Sequence, residues 1–464
     1  MLKKIQALFA PRDLTQGKPM AGIAMFAIPL LIGNLAQQMY NTVDSIIVGQ
    51  YVGDSALAAV GTSGPILNLL LLLFMGISTG AGILVSQYFG AHRQKELETT
   101  VGTCLTLTFI ASLIIMVVGT VIVEPLMTLL GTPPDVHGMA VDYLTIISLG
   151  IIGTAYYNIG SGILRGLGDS VSPLLYLIVA CVLNIFLDLL FVVKFDMAAA
   201  GVALATVIAQ AISAVLCVWK ITHMTKILRV RKKDLMPDKH ITMKTIRLGL
   251  PSGLTQAIFS MAAIVVQALT NSFGTSVIAC AIVVMRVLGF AMMPNFTFGM
   301  AMTTFVGQNV GAGRLDRVKE GVKKGLTAGL AVAVILVAAI LGFGEGLMRL
   351  FTTTEEVVLL GVHMMRILAL GYIAMAVTQS LSGVMRGAGD TMTPMWVSLL
   401  TTIVIRVPLA YGIAFLTRSE ALPNGSPDSI FISLLISWVM GAVLTSIFYR
   451  RGKWQSKSVV TKEG

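Results

Sequence analysis

The chain has 464 residues, of which 56% are hydrophobic and only 12% are charged, and its formal net charge is +11. A soluble protein has roughly 45–50% apolar and about 25% charged residues, so this chain has too few charged side chains to cover a water-exposed surface of its size. The composition therefore excludes an ordinary soluble protein. The positive charge does not indicate a nucleic-acid partner, because the basic residues lie in loops between apolar segments.

Twelve apolar segments follow one another along the chain, each with about 20 residues or more, which is the length that a membrane-spanning helix needs. We number them spans 1 to 12, and they lie at 21–50, 56–88, 97–122, 138–164, 172–194, 198–221, 245–273, 277–308, 320–343, 357–386, 393–416 and 428–450. No soluble domain of appreciable size remains between them. The sequence predicts an all-α polytopic membrane protein with about twelve transmembrane helices.

The basic residues predict the orientation of these spans. Most of the 33 Lys and Arg residues fall in the N-terminal segment, the loops after spans 2, 4, 8 and 10, the linker after span 6, and the C-terminal tail. Cytoplasmic loops of membrane proteins carry an excess of Lys and Arg. We therefore expect a multi-pass protein of the cell membrane with both termini in the cytoplasm.

The chain also contains an internal repeat. Val85–Arg93 aligns with Val306–Arg314, and Ser161–Pro173 aligns with Ser382–Pro394 at the same displacement along the sequence. Repeats of this kind are common in transporters, where the substrate binds near the membrane midplane. The predicted organisation is an N-terminal lobe of spans 1–6 at 1–221, a cytoplasmic linker at 222–244, a C-terminal lobe of spans 7–12 at 245–450, and a cytoplasmic tail at 451–464.

Both copies of the second block contain the motif Arg-Gly-x-Gly-Asp, which ends at Asp169 and at Asp390. Glycines end spans 4 and 10 there, and Ser or Thr followed by Pro begins the next helices. We interpret the motif as structural. A gating role for Asp169 or Asp390 is the alternative interpretation.

These features resemble the multidrug and toxic compound extrusion (MATE) family over about residues 20–450. The resemblance rests on the two six-helix lobes, the Val306–Arg314 block, the doubled Arg-Gly-x-Gly-Asp motif, Gly201-Val-Ala-Leu-Ala-Thr206, and Ile28-Pro-Leu in span 1. It implies a secondary active efflux antiporter. Such a protein exports organic cations or drugs in exchange for Na⁺ or H⁺ by alternating access.

A few ionisable side chains lie within the spans. A charge at the bilayer centre costs at least about 2.5 kcal/mol on insertion scales, which makes such residues functional candidates. Asp44 lies in span 1 and Asp188 in span 5, with Asn184 on the same helix face, and Thr206 lies in span 6. All four are expected in the outer half of the N-terminal lobe. Carboxylate, amide and hydroxyl oxygens suit a hard cation, and two neighbouring carboxylates can instead share a proton.

The MATE pattern has an acidic residue in span 1, Asn-x-x-x-Asp in span 5 and Thr in span 6, and this sequence matches it. The resemblance therefore implies that Asp44, Asn184, Asp188 and Thr206 form the cation or proton site. Na⁺ is the one metal ion expected there, and no cofactor is expected. The alternative is a structural hydrogen-bonded cluster that holds the helices together.

The C-terminal lobe departs from one branch of the family, which places carboxylates in spans 7, 8 and 10. Spans 7 and 8 have none here, and span 10 offers Gln379 before Asp390 at its end. We therefore expect ion coupling in the N-terminal lobe alone. Arg286 in span 8, Gln379 in span 10 and Arg406 in span 11 line the cavity or brace the lobe. For the two arginines we favour the brace, because an unpaired Arg repels a cationic drug.

Pro29 in span 1 and Pro251 in span 7 lie within predicted helices. Proline removes a backbone hydrogen bond and kinks a helix. Pro29 is therefore a candidate hinge, which would connect ion binding at Asp44 to the shape of the cavity.

A flippase for a lipid-linked precursor is the alternative function, but it would need a strongly basic cavity to hold a pyrophosphate. We do not expect an enzyme, since the five His residues form no metal-binding or catalytic pattern. A channel is not favoured either, because no filter-like segment is visible. The expected partners are small-molecule organic cations and membrane lipids, with anionic lipid along the basic linker, and we expect a monomer.

Overall fold

The structure, a computed structural model, describes residues 11–129, 132–224, 227–420 and 422–460, and every regular element in these ranges is a helix. The helices of the spans are Pro19–Ile47 (span 1), Asp54–Gly90 (span 2), Gln94–Leu129 (span 3), Pro134–Leu149 and Ile151–Gly166 (span 4), Val171–Leu189 (span 5), Ala198–His223 (span 6), Lys239–Ser272 (span 7), Thr275–Gly311 (span 8), Leu315–Arg349 (span 9), Glu355–Gly387 (span 10), Met392–Leu399 and Val407–Leu416 (span 11), and Asp428–Arg450 (span 12).

The predicted membrane fold is confirmed. Eleven of the described helical segments are long and apolar enough to cross a membrane, and a bent pair of helices supplies the twelfth. Span 2, with 37 residues, is well beyond the length of about 20 that a bilayer requires. The protein is therefore a multi-pass membrane protein.

Span 4 is the bent pair, and its two halves meet at Gly150 with an angle of 52°. A side chain at Gly150 would overlap Val207 of span 6, so only glycine permits this close approach. The sequence predicted one segment at 138–164 because both halves are apolar, and hydropathy alone does not show a bend.

Three other spans contain a π-helical turn, in which the helix is locally wider. These turns are Val48–Val52 in span 1, Leu190–Lys194 in span 5 and Leu400–Arg406 in span 11. The turns of spans 1 and 5 contact each other. Single π turns inside helices are rare and are often found at functional sites.

The described chain divides into two compact units. Unit 1 comprises residues 11–14 and 28–253, and unit 2 comprises residues 15–27 and 254–460. Span 1 therefore contributes its beginning to unit 2 and, from Ile28 onward, the rest of its length to unit 1. Within unit 2, Arg314 donates to the carbonyl oxygen of Thr15 at 2.5 Å, and Arg317 donates to that of Gly17 at 2.6 Å. The predicted lobe and linker boundaries stay a prediction.

The predicted linker after span 6 packs against the beginning of span 3 within unit 1. It contains a short 3₁₀ helix, Lys232–Leu235. The carbonyl oxygen of Leu235 accepts from Thr106 Oγ1 at 2.6 Å, and the backbone N–H of Arg229 donates to Glu98 Oε1 at 3.2 Å. The linker thus packs against span 3, and the sequence did not predict this contact.

The two Arg-Gly-x-Gly-Asp motifs cap the helices that follow them. Asp169 accepts from the backbone N–H of Ser172 at 2.9 Å and from its hydroxyl at 2.6 Å. Asp390 accepts from the backbone N–H of Thr393 at 3.2 Å and from its hydroxyl at 2.7 Å. A side-chain oxygen that satisfies helix N-terminal N–H groups stabilises the helix start. These contacts support the structural interpretation of the motif.

Candidate functional site

The structure brings the four predicted site residues together within unit 1. Asn184 and Asp188 are fully buried on span 5, and Asp44 is half-buried on span 1. In the amide orientation that satisfies both neighbours, Asn184 Nδ2 donates to Asp188 Oδ2 at 2.9 Å, and Asn184 Oδ1 accepts from the backbone N–H of Thr206 at 3.2 Å. Asp44 lies close to Asp188. Whether these residues bind an ion stays a prediction.

The two carboxyl groups are incompletely satisfied by the protein. Oδ1 of Asp44 and Oδ1 of Asp188 are each buried, and neither accepts a hydrogen bond from any residue that the structure describes. A buried negative charge without a partner is strongly unfavourable. The pair is therefore suited to a cation or a proton, either of which would halve the charge of the fully ionised pair.

Two tyrosines that the sequence reasoning missed also belong to the site. The hydroxyl of Tyr40 lies 3.3 Å from Thr206 Oγ1. Tyr143, on the first half of span 4, lies near both carboxyl groups and is 5% exposed. Tyr40 precedes Asp44 by one helical turn, and that spacing could have identified it. No comparable signal marks Tyr143, which reaches the site through the packing of span 4.

Apolar side chains lie next to the site in the spans that carry the carboxyl pair. Val48 and Val192 belong to the π turns that follow Asp44 and Asp188, and both valines pack in one buried cluster with Tyr143. In such low-dielectric surroundings an electrostatic interaction is stronger than in water. A bound cation would therefore be held mainly by the two carboxyl groups and the neighbouring amide and hydroxyl oxygens.

The donor set favours a hard monovalent cation or a proton over a transition metal. Its atoms are oxygens from carboxyl, amide and hydroxyl groups, which suit hard cations. Among the described residues, no group of three or more His, Cys, Asp or Glu side chains is placed to hold a metal ion. Na⁺ is compatible with the oxygen set that is present.

A polar cavity of about 150 Å³ lies elsewhere in unit 1 and is lined by Pro29, the predicted hinge. This volume is large enough for several water molecules. Gln37 on its wall is two helical turns before Asp44 along span 1. Ser161 Oγ and Gln210 Oε1 also line the cavity, and neither has a hydrogen-bond partner among the described residues. The cavity is therefore suited to water or a polar ligand.

The other predicted residues lie in unit 2. Arg286 is exposed on span 8, Gln379 is buried on span 10, and Arg406 is 9% exposed in the π turn of span 11. All three are described, and no hydrogen bond or ion pair joins any two of them. The structure therefore does not assemble them into one site.

Comparisons with known proteins give the family. The MatE family model matches residues 29–190 and 251–412. The chain is 30% identical over 423 residues to the probable multidrug resistance protein YoeA of Bacillus subtilis (strain 168), covering 89% of this chain and 91% of that protein. It is 27% identical over 453 residues to the probable multidrug resistance protein YpnP of the same organism, covering 97% and 99%.

Solved structures share the fold. An outward-facing conformation of a multidrug resistance MATE family transporter of the MOP superfamily matches with a TM-score of 0.88 and 22% identity, covering 95% of this chain and 97% of that chain. A MATE in a bent conformation matches with the same TM-score and identity, covering 95% and 96%. The family predicted from the motifs is confirmed by the matches to both repeats. The chain therefore belongs to the MATE family of multidrug efflux transporters, whose members are membrane transporters and not enzymes.

Proposed function

We propose that the protein is a secondary active antiporter that exports organic cations or drugs in exchange for Na⁺ or H⁺. The observation that carries the proposal is the proximity of Asp44 and Asp188, each with one buried oxygen that has no partner among the described residues. Asn184 and Thr206 complete the site that takes the coupling ion. The acidic site gives no support to a lipid-precursor flippase, because a pyrophosphate would need positive charge.

The chemistry of the carboxyl pair explains how exchange would arise. A coupling cation or proton that binds to Asp44 and Asp188 lowers the negative charge of unit 1. An organic cation gains affinity from that same negative charge, so binding of one weakens binding of the other. Two ligands that disfavour each other in this way are coupled reciprocally, which is the thermodynamic requirement for exchange.

We propose Pro29 as the hinge of this cycle. It lines the polar cavity in unit 1, and it follows Ile28, the residue at which span 1 passes from unit 2 to unit 1. Because proline leaves a helix without one backbone hydrogen bond, bending there disrupts fewer contacts than bending elsewhere. Both termini in the cytoplasm, a monomeric state, and contact of the basic linker with lipid belong to the same proposal.

The experiment that tests this function uses the purified protein in liposomes with a fluorescent organic cation. A Na⁺ gradient and a pH gradient are imposed separately on wild type, Asp44→Asn and Asp142→Asn. Asp142 is an exposed residue of span 4, so the second variant makes the same chemical change away from the site. We expect one gradient to drive movement in wild type and Asp142→Asn, and a decrease of at least about 100-fold in Asp44→Asn, equivalent to about 2.7 kcal/mol.

The gradient that drives movement identifies the coupling ion. Gradient-driven movement in Asp44→Asn at the wild-type rate, from a protein with the wild-type unfolding temperature, would contradict the assignment of the site. Absence of movement in folded wild type under either gradient would contradict the antiport function.

A further inference from the structure

Arg406 lies in the middle of the membrane-spanning segment 11. The segment runs from Met392 to Leu416, so its midpoint is Val404 and Arg406 lies about 3 Å from it along the helix. Lipid headgroups begin about 15 Å from the midplane of a bilayer whose hydrocarbon core is about 30 Å thick. An arginine side chain cannot cover that distance, so a lipid phosphate is not its partner.

Arg406 is also buried and has no partner among the residues that the structure describes. It is 9% exposed, its Nε is inaccessible, and no described residue accepts a hydrogen bond from its guanidinium or forms an ion pair with it. Arg349 of the same unit shows the contrast, because it is exposed yet contacts Glu345 at 3.0 Å and Glu355 at 2.8 Å. A brace requires such partners. Arg406 has none among the described residues, so its guanidinium is available to a ligand.

No acidic side chain that the structure describes in unit 2 is placed to neutralise Arg406. The described acidic residues of this unit lie in loops or within about two turns of a helix end. Asp390, which precedes span 11, accepts from Thr393, and Asp428, which begins span 12, contacts His363 at 3.2 Å. The positive charge of Arg406 therefore remains uncompensated by the described part of the unit.

The π turn places Arg406 beside polar groups. Thr401 and Thr402 are buried in the same turn, and the hydroxyl of Ser437 on span 12 donates to the carbonyl oxygen of Thr401 at 2.9 Å. Burying an unpaired guanidinium is strongly unfavourable, and an anion with two acceptor oxygens relieves it best because it matches the planar fork of donors.

We propose that Arg406 binds a small monovalent anion, presented either as the carboxylate of a transported molecule or as an inorganic anion such as chloride. The inference rests on the proposed transport function and extends its substrate class from organic cations to zwitterions, in which a carboxylate accompanies the positive charge. The anion binds in unit 2, whereas the coupling cation binds in unit 1.

The test uses two dyes that differ in one group. Rhodamine 110 carries a free carboxylate, and rhodamine 123 is its methyl ester. Their binding to purified protein is measured by fluorescence anisotropy without any gradient, for wild type, Arg406→Gln, Arg406→Lys and Arg366→Gln. Arg366 is exposed on span 10, so it controls for the loss of one positive charge from the same unit.

We expect Arg406→Gln to weaken the binding of rhodamine 110 by at least about tenfold and that of rhodamine 123 by less than about twofold. Arg406→Lys should bind rhodamine 110 more tightly than Arg406→Gln but less tightly than wild type. Lysine keeps the positive charge but lacks the planar pair of donors that matches a carboxylate. Arg366→Gln should change neither dye. An equal change in the two dyes for Arg406→Gln, or no change in either, would overturn the carboxylate form of the proposal.

The inorganic form is tested by the change in unfolding temperature as the sodium chloride concentration is raised, with Arg406→Gln reporting the general effect of ionic strength. Stabilisation of wild type and Arg406→Lys by chloride, absent in Arg406→Gln, supports an inorganic anion. No chloride effect in wild type, together with no preference for rhodamine 110, rejects the anion site even where Arg406→Gln fails to fold. Neither measurement needs transport, so a carboxylate preference without gradient-driven movement would leave the anion site standing and reject the antiport function.

Discussion

The two repeats of this transporter have the same helix ends but opposite buried charge. Asp169 and Asp390 cap their helices through equivalent contacts. In the fifth span of each repeat, however, the first carries Asp188, which is fully buried, and the second carries Arg406, which is 9% exposed. The loops thus preserve what the fold requires, because a lost cap destabilises a helix wherever it occurs. The two repeats have diverged at interior positions, where we propose that the chemistry of transport lies.

The largest expected effect is on transport rate, when the same change from Asp to Asn is made in each repeat. Asp188→Asn removes an acid from the proposed cation site, and we expect gradient-driven transport to fall by at least about 100-fold, or about 2.7 kcal/mol. Asp390→Asn removes an acid that serves as a cap, and we expect less than about threefold. The measurement is dye movement per folded molecule in liposomes. Similar losses in both variants would show that the repeats do not divide their roles in this way.

Removing each of the two caps should lower the stability of the protein, and the two losses should differ by less than the effect on transport above. Loss of a capping side chain costs about 0.5–2 kcal/mol. We expect Asp169→Ala to lie near the upper end, because Asp169 also accepts from the backbone N–H of Val171 at 3.1 Å, and Asp390→Ala to lie lower. Unfolding temperature in one detergent checks the order. A larger decrease for Asp390→Ala would contradict it.

The two prolines give a comparison of rates. Pro29→Ala restores a backbone N–H and its hydrogen bond, worth about 1 kcal/mol, which favours the straight helix. We expect the transport rate per molecule to change about fivefold, with little change in the amount of protein in the membrane. Pro251→Ala is the matched control and should change the rate less than about twofold. An unchanged rate for Pro29→Ala would reject the hinge.

The smallest effect concerns the turn that follows spans 2 and 8. His92 and Gly313 occupy equivalent positions with φ of 54° and 70°. In the first turn the N–H of the following residue donates to the carbonyl oxygen of Tyr88 at 3.1 Å, and in the second it donates to that of Asn309 at 2.8 Å. This conformation costs a non-glycine residue about 1–2 kcal/mol, partly offset by the greater freedom of glycine when unfolded. We expect His92→Gly to stabilise by about 0.5 kcal/mol and Gly313→His to destabilise by about 1 kcal/mol. A lower unfolding temperature for His92→Gly, or a higher one for Gly313→His, would contradict this.

Much of the fold was predictable from the sequence because lipid imposes a simple rule. Each crossing needs a long apolar segment, so the hydropathy of the twelve segments was enough to locate the spans. The four site residues were predictable because their family pattern matched at Asp44, Asn184, Asp188 and Thr206, and the structure places those side chains together. Their ion-binding role still awaits the experiments above.

Other features were not predictable because hydropathy does not specify which helix faces meet. The π turns after Asp44 and Asp188 contact each other, and the sequence of neither segment alone predicts a contact between distant spans. Tyr143 reaches the carboxyl pair only through the packing of span 4. The linker was expected along the membrane surface from its basic residues. Its contact with span 3 instead uses the backbone carbonyl of Leu235 as the acceptor for the Thr106 hydroxyl, and every residue has such a carbonyl, so the sequence does not single it out.

The bend in span 4 has a consequence for how the protein is made. Each half has 16 residues, or about 24 Å of helix, which is shorter than the hydrocarbon core of about 30 Å. Neither half alone is a sufficient signal for the machinery that inserts nascent chains into the bilayer. We therefore expect Tyr143 to enter the membrane only when the insertion machinery recognises both halves together as one transmembrane segment. A polar substitution on the lipid-facing side of the second half should then reduce the fraction of molecules in which span 4 enters the bilayer.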